Sequence, residues 1–140
     1  MSNMKVLVGY DGSPQADRAI DWAASIASGA PGSEVAVIGV LVTLDAAPAI
    51  ADALDPHDSA AQHRAELDRA VARLKAKGVA AEPLLKAGKP AEEILDAADE
   101  GQFDVIVIGS RGKSAAARFL MGSVSERVVR HATRPVLVVR

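Results

Sequence analysis

The 140-residue sequence contains no cysteine, which excludes disulfides and thiolate metal centres and fits the cytosol. Aromatic residues make up only 3% of it, so alanine, valine, leucine and isoleucine must fill the core. A flat ligand ring would then rest on aliphatic side chains and backbone. No apolar run reaches membrane-spanning length, and Met1-Ser2-Asn3-Met4-Lys5 leads into a strand without a signal-peptide or lipidation pattern. Positive charge is not in excess either. A net charge of −2 argues against a dedicated nucleic-acid binder, which is usually basic. The three histidines, His57, His63 and His131, do not cluster, and no Ser-His-Asp or Cys-His set is readable. These absences leave a cytoplasmic domain with no membrane or nucleic-acid partner and no metal held by side chains alone. Neither a linker nor a repeat interrupts residues 1–140, which read as one domain large enough for a core.

What is present is a regular alternation. Met4 to Gly9 reads as a short buried strand. Ser13 suits a helix N-cap and Pro14 the first helical position, after which Ala16, Ala19, Ile20, Ala23 and Ala27 recur at helical spacing as far as Gly29. Trp22 lies off the centre of that face and is expected half-buried. Glu34 to Val42 is a second strand, and Thr43 to Pro56 a loop at its carboxyl end. His57 to Lys77 is helical, with Leu67, Val71 and Leu74 as its stripe and Gly78 as C-cap. Val79 to Leu85 is a third strand, which Pro83 assigns to a sheet edge. A short helix from Ala91 to Ala98, a strand from Asp104 to Ile108, a helix marked by Val124, Val128 and Val129, and a strand from Pro135 to Val139 complete the chain. The order β-α-β-α-β-α-β-α-β predicts an α/β fold, a doubly wound parallel sheet with helices on both faces. Ligands of such sheets lie beyond the carboxyl ends of the strands, where strand order reverses. With strands one and four as neighbours there, Asp11 and Gly109 point into one crevice.

The apolar run Val105 to Ile108 stops at Gly109, and Ser110, Arg111 and Gly112 follow. Nine residues later come Gly122, Ser123, Val124 and Ser125, where a helical pattern begins. Three glycines between a strand and a helix let the loop fold back and its backbone approach a ligand. The helix N-terminus favours an anion there. The pattern therefore predicts a phosphate site, with the Ser123 and Ser125 hydroxyls as further donors. Arg111 either touches phosphate or faces solvent, and Lys113 is either a flexible point charge for phosphate or a solvated loop residue. Gly112-Lys113-Ser114 is not a P-loop: the glycine required five residues earlier would be Val107, inside the strand. Asp11 has two readings. It is a turn former in Asp11-Gly12, or a carboxylate for ribose hydroxyls, an adenine amino group or a phosphate-bound Mg²⁺.

Gly109-Ser110-Arg111-Gly112, the nine-residue gap, Gly122 to Val128, the segment His131 to Val139 and the opening Val6 to Ser13 together resemble the universal stress protein family. The likeness covers essentially the whole chain. It implies a five-stranded parallel sheet of order 3-2-1-4-5 and a homodimer. It also implies ATP with Mg²⁺ as ligand, because the glycine spacing of the ATP-binding members is kept. Carried over by position, the adenine end falls to Asp11 and Val40. The full nucleotide-contacting set is Gly9, Asp11, Val40, Gly109, Ser110, Arg111, Gly112, Gly122, Ser123, Val124 and Ser125. Gly39 stands where many relatives carry histidine, which implies a looser base pocket, and Ala115-Ala116-Ala117 is a second departure. The segment Val136 to Val139 adds a physical reason for the dimer, since an apolar sheet edge at the chain's end is covered by pairing with its copy.

Two function classes follow. One is a nucleotide-dependent stress-response regulator with unidentified protein partners and at most slow ATP hydrolysis, since no residue is placed to activate water. The other is an adenine-nucleotide hydrolase of the same architecture, which needs a substrate pocket for which 140 residues leave little room. A receiver domain is disfavoured because Lys86-Ala87-Gly88 stands where its acceptor Asp belongs. A flavin mononucleotide site is disfavoured because Asp11-Gly12-Ser13-Pro14 lacks a Ser/Thr-rich phosphate turn.

Overall fold

Val6-Leu7-Val8 and Val105-Ile106-Val107-Ile108 are apolar at every position, so each needs cover on both faces. A computed structural model, describing residues 3–42, 60–111 and 121–140, provides it. The elements are β1 (Lys5–Gly9), α1 (Pro14–Ser28), β2 (Glu34–Val42), α2 (Ala60–Ala76), β3 (Ala80–Gly88), α3 (Pro90–Glu100), β4 (Val105–Gly109), α4 (Ser123–His131) and β5 (Val136–Val139). The sheet has the order β3-β2-β1-β4-β5, and every pair is parallel. The Thr43–Pro56 loop, His57, Gly112, Lys113 and the Ala115–Ala117 run lie outside the described residues.

Alternate side chains of each strand go to opposite faces. Val6, Val8, Val35, Val37, Val105 and Val107 pack against Ala19, Ile20 and Ala23 of α1 and Leu67, Val71 and Leu74 of α2. Leu7, Ala36, Ile38, Ile106 and Ile108 pack against Ala91, Ile94 and Ala98 of α3 and Val128 of α4. Truncating a fully buried member such as Ile20 costs ~2–5 kcal/mol. Helix α1 starts where its capping chemistry dictates: Ser13 Oγ accepts from Ala16 N at 3.1 Å, and Pro14 follows at the first position.

One expectation shifts. Strand β3 runs on to Gly88 because all nine of its residues pair with β2, and Pro83 is tolerated because β3 is an edge. Trp22 is 54% exposed, half-buried on the flank of α1 as its off-centre position predicts. Among the described residues no helix is long and apolar enough to cross a membrane.

Candidate functional site

Strands β1 and β4 are neighbours, and their carboxyl ends are Gly9 and Gly109. From there β1 hands the chain to α1 on one face and β4 hands it toward α4 on the other. A crevice opens between the two departing connections. Strand β2 outruns β1: Gly9 pairs with Ile38, and Tyr10 N still reaches Ile38 O at 2.9 Å. Val40 lies two residues farther on, half-buried on the α3 side, so it borders the step left beyond Tyr10 and Asp11.

On the β1 side the turn is held by its own side chains. Asp11 Oδ1 accepts from Ser13 N at 2.9 Å, which fixes one carboxylate oxygen and feeds the cap of α1. Gly12 has φ +80°, and a Cβ there would stand 3.0 Å from a Glu66 carboxylate oxygen, so α2 closes over this turn. Tyr10 donates to Asp17 Oδ1 at 2.5 Å. Burial, then that hydrogen bond and the negative charges of Asp17 and Glu66, push the Tyr10 phenol well above its ordinary value, with Arg69 opposing.

On the β4 side the loop's two ends meet. Gly122 N donates to Ser110 O at 2.6 Å, and the buried Ser125 Oγ donates to the same carbonyl at 2.7 Å. Ser110 N donates to Val139 O at 2.6 Å, which ties the loop to β5. The Ser125 hydrogen is thus directed at a carbonyl, and its hydroxyl holds the loop shut. Ser123 is exposed at the first position of α4. Gly122, the N-cap, has no side chain with which to cap the helix, whereas α1 is capped by Ser13. Of the two helices that begin at the crevice, α4 is therefore the one whose first N–H groups no side chain of the described residues is shown to cap. Arg111 is partly buried at the start of the loop.

The candidate glycines differ in what they do. At Gly109 a Cβ would stand 2.9 Å from Gln15 Cβ and 3.2 Å from the Gln15 carbonyl carbon, so its absence lets α1 pack onto β4. At Gly9 it would meet Ile108 at 3.0 Å and Ile94 at 3.2 Å. Opposite Gly39 the Leu67 methyls lie 3.2 Å from that point, so α2 fills room that the resemblance left empty. Gly122 is different. Its φ of −75° and ψ of 165° suit any residue, and among the described residues its nearest neighbour, Arg111 Cα, is at an ordinary 3.5 Å. Nothing within the described fold requires glycine there.

Beside the α4 N-terminus is a hollow of about 240 Å³, lined by Lys89, Glu92, Ser123, Val124 and Arg127 among others. Arg127 pairs with Glu92 at 2.9 Å across it. The sequence reading did not single out Lys89 or Arg127, because it is α3 packing beside α4 that brings them to Ser123. Their one sequence signal is a position near a helix start. Among the described residues no group of three or more His, Cys, Asp or Glu could hold a metal. His63 and His131 lie apart, on α2 and α4.

The sequence profile described as the universal stress protein family matches residues 2–140. A universal stress protein of Thermus aquaticus is 36% identical over 138 residues, spanning 96% of this chain and 97% of that one. The chain spans 50%, 47% and 31% of the length of three other curated relatives. Among solved structures, a universal stress protein in complex with cAMP superimposes with a TM-score of 0.73 at 30% identity, covering 100% of this chain and 98% of that chain. The universal stress protein of Archaeoglobus fulgidus in complex with dAMP gives 0.75 at 27% identity, with both chains fully covered. On the profile match and the near-full-length Thermus relative, the chain belongs to the universal stress protein family.

Proposed function

We propose that the protein binds ATP, with the adenine nucleoside end at Asp11 and Val40 and the phosphates along the Gly109–Gly122 loop at the α4 N-terminus. The observation that carries this is the closure of the loop by Gly122 N and Ser110 O at 2.6 Å. It sets a helix start whose N-cap, Gly122, carries no capping side chain beside the carboxyl end of β4, across the crevice from Asp11. The glycine at 122 adds support, since a ligand passing close to the backbone explains a missing Cβ that the described residues do not require. Complexes of relatives with cAMP and dAMP favour an adenine nucleotide as the ligand class. Mg²⁺ would accompany the triphosphate and offset its charge.

On this reading the protein is a nucleotide-dependent regulator in a stress response, because the crevice as described holds no residue positioned to activate water. Its second part is a homodimer paired through β5, whose Val136 to Val139 edge is apolar and uncharged. Titration calorimetry of the full chain with ATP and Mg²⁺ tests the ligand assignment. Saturable binding of one nucleotide per chain, with GTP markedly weaker, is expected. No saturable heat and no shift of the melting temperature at millimolar ATP would overturn it.

A further inference from the structure

Helices of a parallel sheet begin at the carboxyl ends of its strands, so α3 and α4 both start at the end of the molecule that carries the crevice. Helix α3 packs beside α4, and the hollow of about 240 Å³ lies between their first turns. At neither start does the N-cap side chain bond to the turn: Lys89 makes no such bond, and Gly122 has no side chain. The charged residues that line the hollow are Lys89, Glu92 and Arg127. Ser123 and Val124, two residues of the nucleotide-contacting set, line it as well. The hollow is therefore continuous with the crevice through the first turn of α4.

Arg127 follows Ser123 by four residues, one turn along the same face of α4. Side chains of a helix tilt toward its N-terminus, so the guanidinium is carried back over the first turn, where the phosphates are proposed to lie. That guanidinium already has an anion. Its Nε lies 2.9 Å from Oε1 of Glu92, in the first turn of α3. The two side chains are 59% and 39% exposed, so water screens the pair and it exchanges readily. A phosphate offers a guanidinium two oxygens at once and carries more charge than a carboxylate. Glu92 thus occupies, from within the chain, the place that an incoming phosphate would take. Once released it stays at the first turn of α3, where the helix dipole favours a carboxylate.

We infer that Lys89, Glu92 and Arg127 form a selector for the number of phosphates on the bound nucleotide. The terminal phosphate of a triphosphate enters the hollow, displaces Glu92 from Arg127 and takes Lys89 as a second cation. A monophosphate stays at the glycine loop and leaves the Arg127–Glu92 pair closed. This rests on the ATP reading above and adds what sets ATP apart from AMP at that site. Lys89 is exposed, and among the described residues no ion pair has to break before it turns to the ligand. Two cations against one carboxylate leave the lining net positive, and neutralising Glu92 makes it more so.

Calorimetric titration of the 140-residue chain with ATP, ADP and AMP at one Mg²⁺ concentration tests the selector, and the quantity to read is the ratio of ATP to AMP affinity. Glu92→Gln should tighten ATP by about three- to tenfold and leave AMP within about twofold, so that removing a charge improves binding. Arg127→Gln should weaken ATP about tenfold with AMP little changed, and Lys89→Gln should weaken it by a smaller factor in the same sense. Thermal melts without ligand check that these surface variants stay folded. A parent that binds ATP, with a Glu92→Gln variant whose ATP-to-AMP ratio is unchanged or lower, overturns the selector and leaves the ATP reading standing. Inorganic phosphate that binds saturably without competing with ATP makes the hollow a separate anion site, with the same consequence. A parent that binds no ATP overturns both.

Discussion

Alanine at Gly122 and alanine at Gly109 should produce opposite phenotypes, although both glycines belong to one loop motif. At Gly109 the new methyl group would stand 2.9 Å from Gln15 Cβ and 3.2 Å from the Gln15 carbonyl carbon. Those are main-chain and Cβ atoms that cannot swing away, so α1 or β4 must shift. Overpacking of this kind costs ~1–3 kcal/mol, or about 3–10 °C in melting temperature for a domain of this size. At Gly122 the nearest atoms lie at 3.5, 3.6 and 3.7 Å, and φ is −75°. Stability should therefore stay within ~0.5 kcal/mol of the parent, or rise slightly as the unfolded chain loses freedom. Nucleotide affinity should fall by at least about tenfold, ~1.4 kcal/mol, because the methyl group occupies the path of the phosphates. Urea unfolding without ligand gives the stability term, and calorimetric titration with ATP gives the affinity term. A Gly122→Ala protein that binds ATP as tightly as the parent would refute the role assigned to Gly122. A Gly109→Ala protein of unchanged stability would refute the packing argument.

Two further predictions concern protons. Tyr10 is the only tyrosine, and burial with its hydrogen bond to Asp17 keeps it protonated beyond the pH near ~10 where an exposed phenol ionises. The unfolded chain releases that proton first, so stability held at neutral pH is lost as pH rises above about 10. Ultraviolet titration of the native protein should show no tyrosinate until unfolding sets in, and a normal titration would contradict this. For Asp21 burial acts to raise the pKa, but hydrogen bonds and charge from Lys77 and Arg73 outweigh it and hold the carboxyl below its ordinary value. Its stabilisation is complete at neutral pH and is lost as pH falls below ~4 through the folded value. Because the side chain is 38% exposed, solvent screening limits Asp21→Asn to ~0.5–1 kcal/mol at pH 7, and the difference should vanish in acid. An equal difference at pH 7 and pH 2.5, by thermal melts, would count against the ion-pair origin.

The strands were legible because both faces of a parallel sheet are covered: β1 and β4 are unbroken apolar runs, and β2 runs from Glu34 to Val42 as its composition predicts. The starts of α1 and α4 were legible because Ser13-Pro14 and Gly122-Ser123 are local signals. What was not legible depends on partners remote in sequence. Gly109 makes room for Gln15, Gly9 for Ile94 and Ile108, and Gly39 lies against Leu67, and no local pattern separates these packing glycines from Gly122. The Ser125 hydroxyl reads as a ligand donor until the fold brings the Ser110 carbonyl to 2.7 Å. Trp22, 54% exposed, is about half-buried as its place off the centre of the apolar face of α1 predicts, because helical periodicity is a local signal.

The most direct test of the central claim is a residue-resolved titration of the 140-residue chain with ATP and Mg²⁺, followed by amide chemical shifts. The account predicts that Asp11, Val40, Gly109, Ser110 and the Gly122–Ser125 amides move together along one saturable curve, while the amides of β3 near Pro83 stay still. Shifts that leave Ser110 and Gly122–Ser125 unmoved while ATP saturates elsewhere would contradict it.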